Sequence, residues 1–135
     1  MTEYEITARR ANGHSGEARA RSVVIQLDTA REGRADALSA AELLLASVGA
    51  AVLTETEQAA TAMSFPIASA SVQVRGVHRS DASQAQTVAY VLTVGTDEPE
   101  HRLMQLHERV WRAVNLVPLG AGAQLTGGIR RAPSS

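Results

Sequence analysis

The sequence predicts an α+β fold in which antiparallel sheets surround one long central helix, in the order β-β-α-β-β-α-β. Three observations predict it. A stretch at 40–63 is apolar on every face in its first half, a second at 99–114 is amphipathic with helical spacing, and the segments around them are short and rich in β-branched residues. A chain of 135 residues fits one domain, taken here as 1–131 with 132–135 as a flexible tail, and two halves would each be too small to bury much core. Because only 3% of the residues are aromatic, that core must be built from Ala, Val, Leu and Ile.

The elements follow in order. Thr2–Arg9 alternates weakly and reads as a strand, and the cluster Asn12-Gly13-His14-Ser15-Gly16 turns it into a hairpin. Ala18–Thr29 is the return strand, with Ser22-Val23-Val24-Ile25-Gln26-Leu27 as its β-branched part, and Arg31–Ala37 is a polar loop around Gly33. Ser39-Ala40-Ala41-Glu42 fits a capping box, in which the serine hydroxyl takes the amide of the third helical residue and the glutamate reaches back. The helix it starts runs from Ala40 to Met63, with no charge between Glu42 and Glu55. A helix apolar all round is normally buried on all sides, and a domain this small has few layers to cover it, so a second subunit is expected to supply part of the cover. Phe65-Pro66 ends the helix.

Ile67–Val77 and Thr87–Val94 read as strands joined by the polar turn Arg79–Gln86. Pro99 opens the second helix, in which Leu103, Leu106, Val110 and Val114 form the inner face. Arg102, Gln105, Arg109 and Arg112 point away, and Glu108 can pair with Arg112. The run Val117-Pro118-Leu119-Gly120-Ala121-Gly122 breaks this helix before a last strand at Leu125–Arg131.

Composition excludes several function classes. The formal charge is −1 and no basic stripe occurs, so no nucleic-acid partner is expected. All 13 basic residues are arginine, a usage that a GC-rich coding sequence also produces. The longest apolar run, Leu43–Leu53, would make a helix of about 16 Å against a bilayer core of about 30 Å, so no membrane span is expected. Met1–Arg10 has no apolar signal core, and a cytoplasmic location is expected. With no cysteine there are no disulfides, thiolate metal sites or thiol nucleophiles. His101 and His107 are six apart and fall on different helix faces, and His14 belongs to an exposed turn, so neither a metal site nor a cofactor is expected. Gly120-x-Gly122 and Gly127-Gly128 read as turn glycines, since no lysine or strand-loop-helix setting accompanies them.

The segment Ser39-Ala40-Ala41-Glu42-Leu43-Leu44-Leu45-Ala46-Ser47-Val48-Gly49-Ala50-Ala51 resembles the start of the central helix of the OsmC/Ohr family, where Asn-Pro-Glu leads an Ala- and Gly-rich apolar run to a cysteine. The element order and the re-entry at Phe65-Pro66-Ile67 resemble that family too. The resemblance implies an intertwined homodimer that reduces organic hydroperoxides at its interface. One cysteine attacks the peroxide, a second resolves it as a disulfide, and an Arg and a Glu hold the first as thiolate. Here the peroxidatic cysteine position falls on Ala51, the activating Glu on Ala41 with Glu42 beside it, and the resolving Cys-Pro turn best matches Val117-Pro118. Asn and Pro become Ser39 and Ala40, and the activating Arg corresponds to Arg19 or Arg21 on the hairpin. Thiol-dependent peroxide reduction is therefore expected to be absent, with no catalytic residue in its place.

What remains is a cleft stripped of charge. It is expected to bind a small apolar or amphipathic molecule between subunits, with Arg19 or Arg21 as anchor and Ser47, Ala51, Glu55, Met104, His107 and Trp111 around it. Plainer roles stand beside these. The Ser47 hydroxyl can bond back to its own helix, Glu55 can lie on a solvated face, and Met104, His107 and Trp111 can be ordinary core or dimer packing. Two other classes stay open: a non-thiol, for example hydrolytic, enzyme in the same cleft, and a purely structural or partner-binding dimer.

Overall fold

The computed structural model describes residues 3–29, 36–78, 86–114 and 123–133. The expected loop around Gly33, the turn after His78, the helix-breaking run with Val117 and Pro118, and the last two residues of the tail lie outside the described residues. The elements are strands β1 (Thr7–Arg10), β2 (Ser15–Ala20) and β3 (Val23–Asp28), helix α1 (Ala40–Met63), strands β4 (Ser69–His78) and β5 (Gln86–Gly95), helix α2 (Glu100–Val114) and strand β6 (Ala123–Arg131). The fold is α+β, with two three-stranded sheets and two helices.

The chain divides into two compact units, Met1–Leu44 and Leu45–Ser135. The first is an antiparallel meander, β1-β2-β3. At its first turn, the Ala11 and Asn12 amides donate to the Ser15 carbonyl, and the Asn12 side chain accepts from the His14 amide at 2.8 Å. At its second turn, Ala20 pairs with Val23 across Arg21-Ser22, and Arg21 has φ of 58°. This turn divides the single return strand expected over Ala18–Thr29, so three strands and not two precede α1. It was hidden because arginine holds a left-handed position where Gly or Asn would have signalled it.

The capping box at the start of α1 forms as its residue types require. The Ser39 amide donates to Glu42 Oε1 at 3.0 Å, and the Glu42 amide donates to the Ser39 hydroxyl at 3.2 Å.

The second unit carries a continuous core. The sheet order is β4-β5-β6, with β5 central. β4 and β5 are antiparallel in the register Val74↔Tyr90, while β5 and β6 are parallel in the register Tyr90↔Gly127. The expected wholly antiparallel sheet is corrected here, because α2 is a crossover that returns the chain to β5 in the same direction. Alternate residues of β5, namely Val88, Tyr90, Leu92 and Val94, are buried against Leu103, Leu106, Val110 and Val114 of α2 and Val48, Val52, Ala59 and Ala60 of α1. Each large aliphatic side chain so buried contributes on the order of 1.5–3 kcal/mol before the ordering entropy is subtracted. Thr56, the polar residue in this face of α1, gives its hydroxyl to the Val52 carbonyl at 2.7 Å and leaves no buried donor open. Gly49 of α1 and Gly76 of β4 permit close packing, since a Cβ on Gly76 would stand 2.9 Å from Leu45 Cδ2.

Gly127 and Gly128 lie inside β6, not in a turn as the sequence suggested. A Cβ on Gly127 would overlap the buried Tyr90 ring, whereas one on Gly128 meets nothing within 4 Å. Gly127→Ala is therefore expected to lower unfolding stability by about 1–3 kcal/mol, with Gly128→Ala neutral or slightly stabilising. Urea unfolding of the two variants checks this; equal midpoints would contradict it.

Candidate functional site

Position 90 of β5 is an inward register that the neighbouring strand residues fill with Val and Leu, and a tyrosine there brings a hydroxyl into the core. Two choices accommodate it. Its parallel partner is Gly127, so the ring lies over a residue without a side chain. Its hydroxyl is 2.9 Å from Nε2 of His107, which projects from α2. Tyr90 is 1% exposed and His107 is half-buried. One helical turn on, Trp111 completes the cluster. The Tyr90 ring centroid is 5.8 Å from that of His107 and 6.4 Å from that of Trp111, at interplanar angles of 59° and 32°.

Burial sets the charge state. It pushes the Tyr90 phenol up to about 12 and lowers the His107 imidazolium below its ordinary value. Both groups are neutral at neutral pH, and the phenol and His107 Nε2 are hydrogen-bonded to each other. The cluster is a polar link between β5 and α2 inside an otherwise apolar core.

The residues named from the sequence fall into separate places. His107 and Trp111 turn toward Tyr90, while Met104 stands 53% exposed. Ser47, Ala51 and Glu55 form one stripe of α1 at four-residue intervals, the first exposed and the other two half-buried. Arg19 and Arg21 belong to the first unit. The Arg19 Nε is 2.7 Å from Glu17 Oε1, with 62% of its side chain exposed, and Arg21 sits at the exposed tip of the β2–β3 turn. Ala41 is exposed on the first turn of α1, and Glu42 is engaged in the cap. Val117 lies outside the described residues. Among the described residues, no three His, Asp or Glu side chains gather as metal ligands. Tyr90 was not singled out from the sequence. The signal that finds it is a tyrosine in the inward register of a strand of Val and Leu, since its hydroxyl there must find a partner.

Two measurements follow from the cluster. Tyr90→Phe keeps the ring and strands a His107 nitrogen, so it should cost about 0.5–1.5 kcal/mol in urea unfolding. Because folded His107 resists protonation, the unfolded chain binds more protons as pH falls below the ordinary histidine value of 6.5. The contribution of this residue to stability is therefore complete above pH 6.5 and is lost progressively in more acidic solution. The unfolding midpoint measured from pH 7.5 to pH 5 should fall less in His107→Gln than in the parent chain.

No protein-family model matches the sequence, and no curated protein matches it. Solved structures do match. An OsmC-like protein from Mycoplasma pneumoniae superposes with a TM-score of 0.85 at 16% identity, over 98% of this chain and 99% of that one. An OsmC-like protein of unknown function from Vibrio cholerae gives 0.72 at 11% identity, over 96% and 100%. The organic hydroperoxide resistance protein OhrB of Bacillus subtilis gives 0.60 at 16% identity, over 96% and 98%. This chain, in which no cysteine occurs, has the fold of the OsmC-like and Ohr proteins over 96–98% of its length.

Proposed function

We propose that the protein is a cytoplasmic homodimer that binds a small apolar or amphipathic molecule in a cleft beside Ala51, and that it is not a thiol peroxidase. The absence of cysteine from all 135 residues carries the negative half of this reading. Reduction of a hydroperoxide by the Ohr route needs a thiolate to attack and a second thiol to resolve, and Ala51 offers neither. A non-thiol enzyme would need a base beside its nucleophile. The histidine of the second unit's core is already bonded to Tyr90.

Apolar surface supports the positive half. On α1, Ala46, Ser47, Ala50 and Leu53 are exposed, although this part of the helix has no charged residue. In the first unit, the consecutive residues Val23, Val24 and Ile25 are all exposed, so both faces of β3 present large apolar side chains to water. A pattern apolar on both sides belongs to a strand covered on both sides. A second copy of the chain is the occupant we assign, because an isologous contact covers the same apolar surface on both copies. No helix among the described residues is long and apolar enough to cross a membrane, so a bilayer is not offered as the cover.

Light scattering should give about twice the 14.3 kDa chain mass, and Leu53→Arg should shift the population toward the single-chain mass. A parent chain that runs at the single-chain mass at high concentration would count against the dimer. Fatty carboxylates from hexanoate to tetradecanoate should perturb Trp111 fluorescence saturably. Ala51→Leu, which fills the cleft, should weaken the effect about tenfold or more, corresponding to about 1.4 kcal/mol. A flat response across the series would contradict ligand binding.

A further inference from the structure

The outer face of α2 holds a site of a different character. Arg102, Gln105, Arg109 and Arg112 fall at steps of three, four and three residues, within an arc of about 80° at 3.6 residues per turn. With Glu108 and with Met63 from the end of α1, they line a groove of about 400 Å³. No acidic residue lies in the stripe itself.

The three arginines are not equivalent. Arg102 is fixed, its Nε and Nη2 lying 3.2 and 3.1 Å from Glu98 Oε1, its Nη2 donating to the Met63 carbonyl at 2.9 Å, and its guanidinium 5.7 Å from the centre of the Phe65 ring. It forms one wall and its charge is met. Arg112 is held by Glu108 at 2.6 Å in a pair whose side chains are 75% and 60% exposed, a weak bond that a ligand can replace. Arg109 makes no ion pair among the described residues and is exposed at the centre of the groove. Two guanidinium forks thus stand one turn apart against one exposed carboxylate, with the Gln105 amide one turn before Arg109 and the Met63 side chain as an apolar contact.

We infer that this groove binds a small oxyanion-bearing molecule, a phosphate or a carboxylate, through Arg109 and Arg112, with Glu108 as a gate that the anion displaces. Guanidinium forks match oxyanions in geometry and donate two bonds at once. The site is separate from the apolar cleft proposed beside Ala51 and does not depend on it.

Calorimetric titration of the full chain with inorganic phosphate, phenyl phosphate and benzoate tests this at low ionic strength. The three arms separate a phosphate from a carboxylate preference and show whether Met63 favours an apolar body. At least one should bind saturably. Arg109→Gln should weaken that binding about tenfold or more, and Glu108→Gln, which frees Arg112, should tighten it several-fold. Both positions are exposed, so the variants should keep the parent's unfolding midpoint. No saturable binding of any probe, or binding unchanged in Arg109→Gln, would overturn the inference. Retention of the Trp111 response to fatty carboxylates in Arg109→Gln is expected, and its loss together with phosphate binding would overturn the separateness of the two sites.

Discussion

Thiol-based reduction of a peroxide needs a polarizable, deprotonated sulfur, and this chain, with the fold of OsmC-like and Ohr proteins, has no cysteine to supply one. On the reading proposed above, Ala51 takes the helix position where a thiolate would stand and Ala41 that of the carboxylate that would help to hold it. The consequence is physical as well as chemical. On that reading two alanines stand where charged groups would need solvent or a partner, so this part of α1 has no buried charge to satisfy.

The buried core does not draw on Ala41 or Ala51. Its core is a sandwich of Val, Leu and Ala between β5 and the two helices, with one polar link through Tyr90 and His107. That link costs little because both groups are neutral and bonded to each other, and Gly127 gives the ring its room. Arg102 performs a comparable task outside the core, tying Glu98, the Met63 carbonyl and the Phe65 ring into one corner. The described core is thus held together by groups other than thiols.

Features governed by local sequence were legible. Ser39 and Glu42 announced the start of α1, and Phe65-Pro66 its end, so that the helix spans the expected Ala40–Met63. The inner face of α2 and its Glu108–Arg112 pair follow from helical spacing alone. Features governed by distant partners were not. The β2–β3 turn was missed because Arg21 carries a backbone angle that its side chain does not advertise. The parallel entry of β6 is decided by the crossover through α2, and the importance of Tyr90 by its register against Gly127. For the same reason Gly127-Gly128 looked like a turn, although one of the pair is required by a ring on the next strand. The stripe of arginines on α2 was visible, but not that Met63 of α1, far away in the sequence, lines the same groove.

The account is tested most directly by following an organic hydroperoxide, such as cumene hydroperoxide, in the presence of the purified chain and excess dithiothreitol. Consumption at the rate of buffer alone is the predicted result. Sustained, enzyme-dependent turnover would mean that this fold can reduce peroxides without sulfur, and the reading of Ala51 as a silenced position would be wrong.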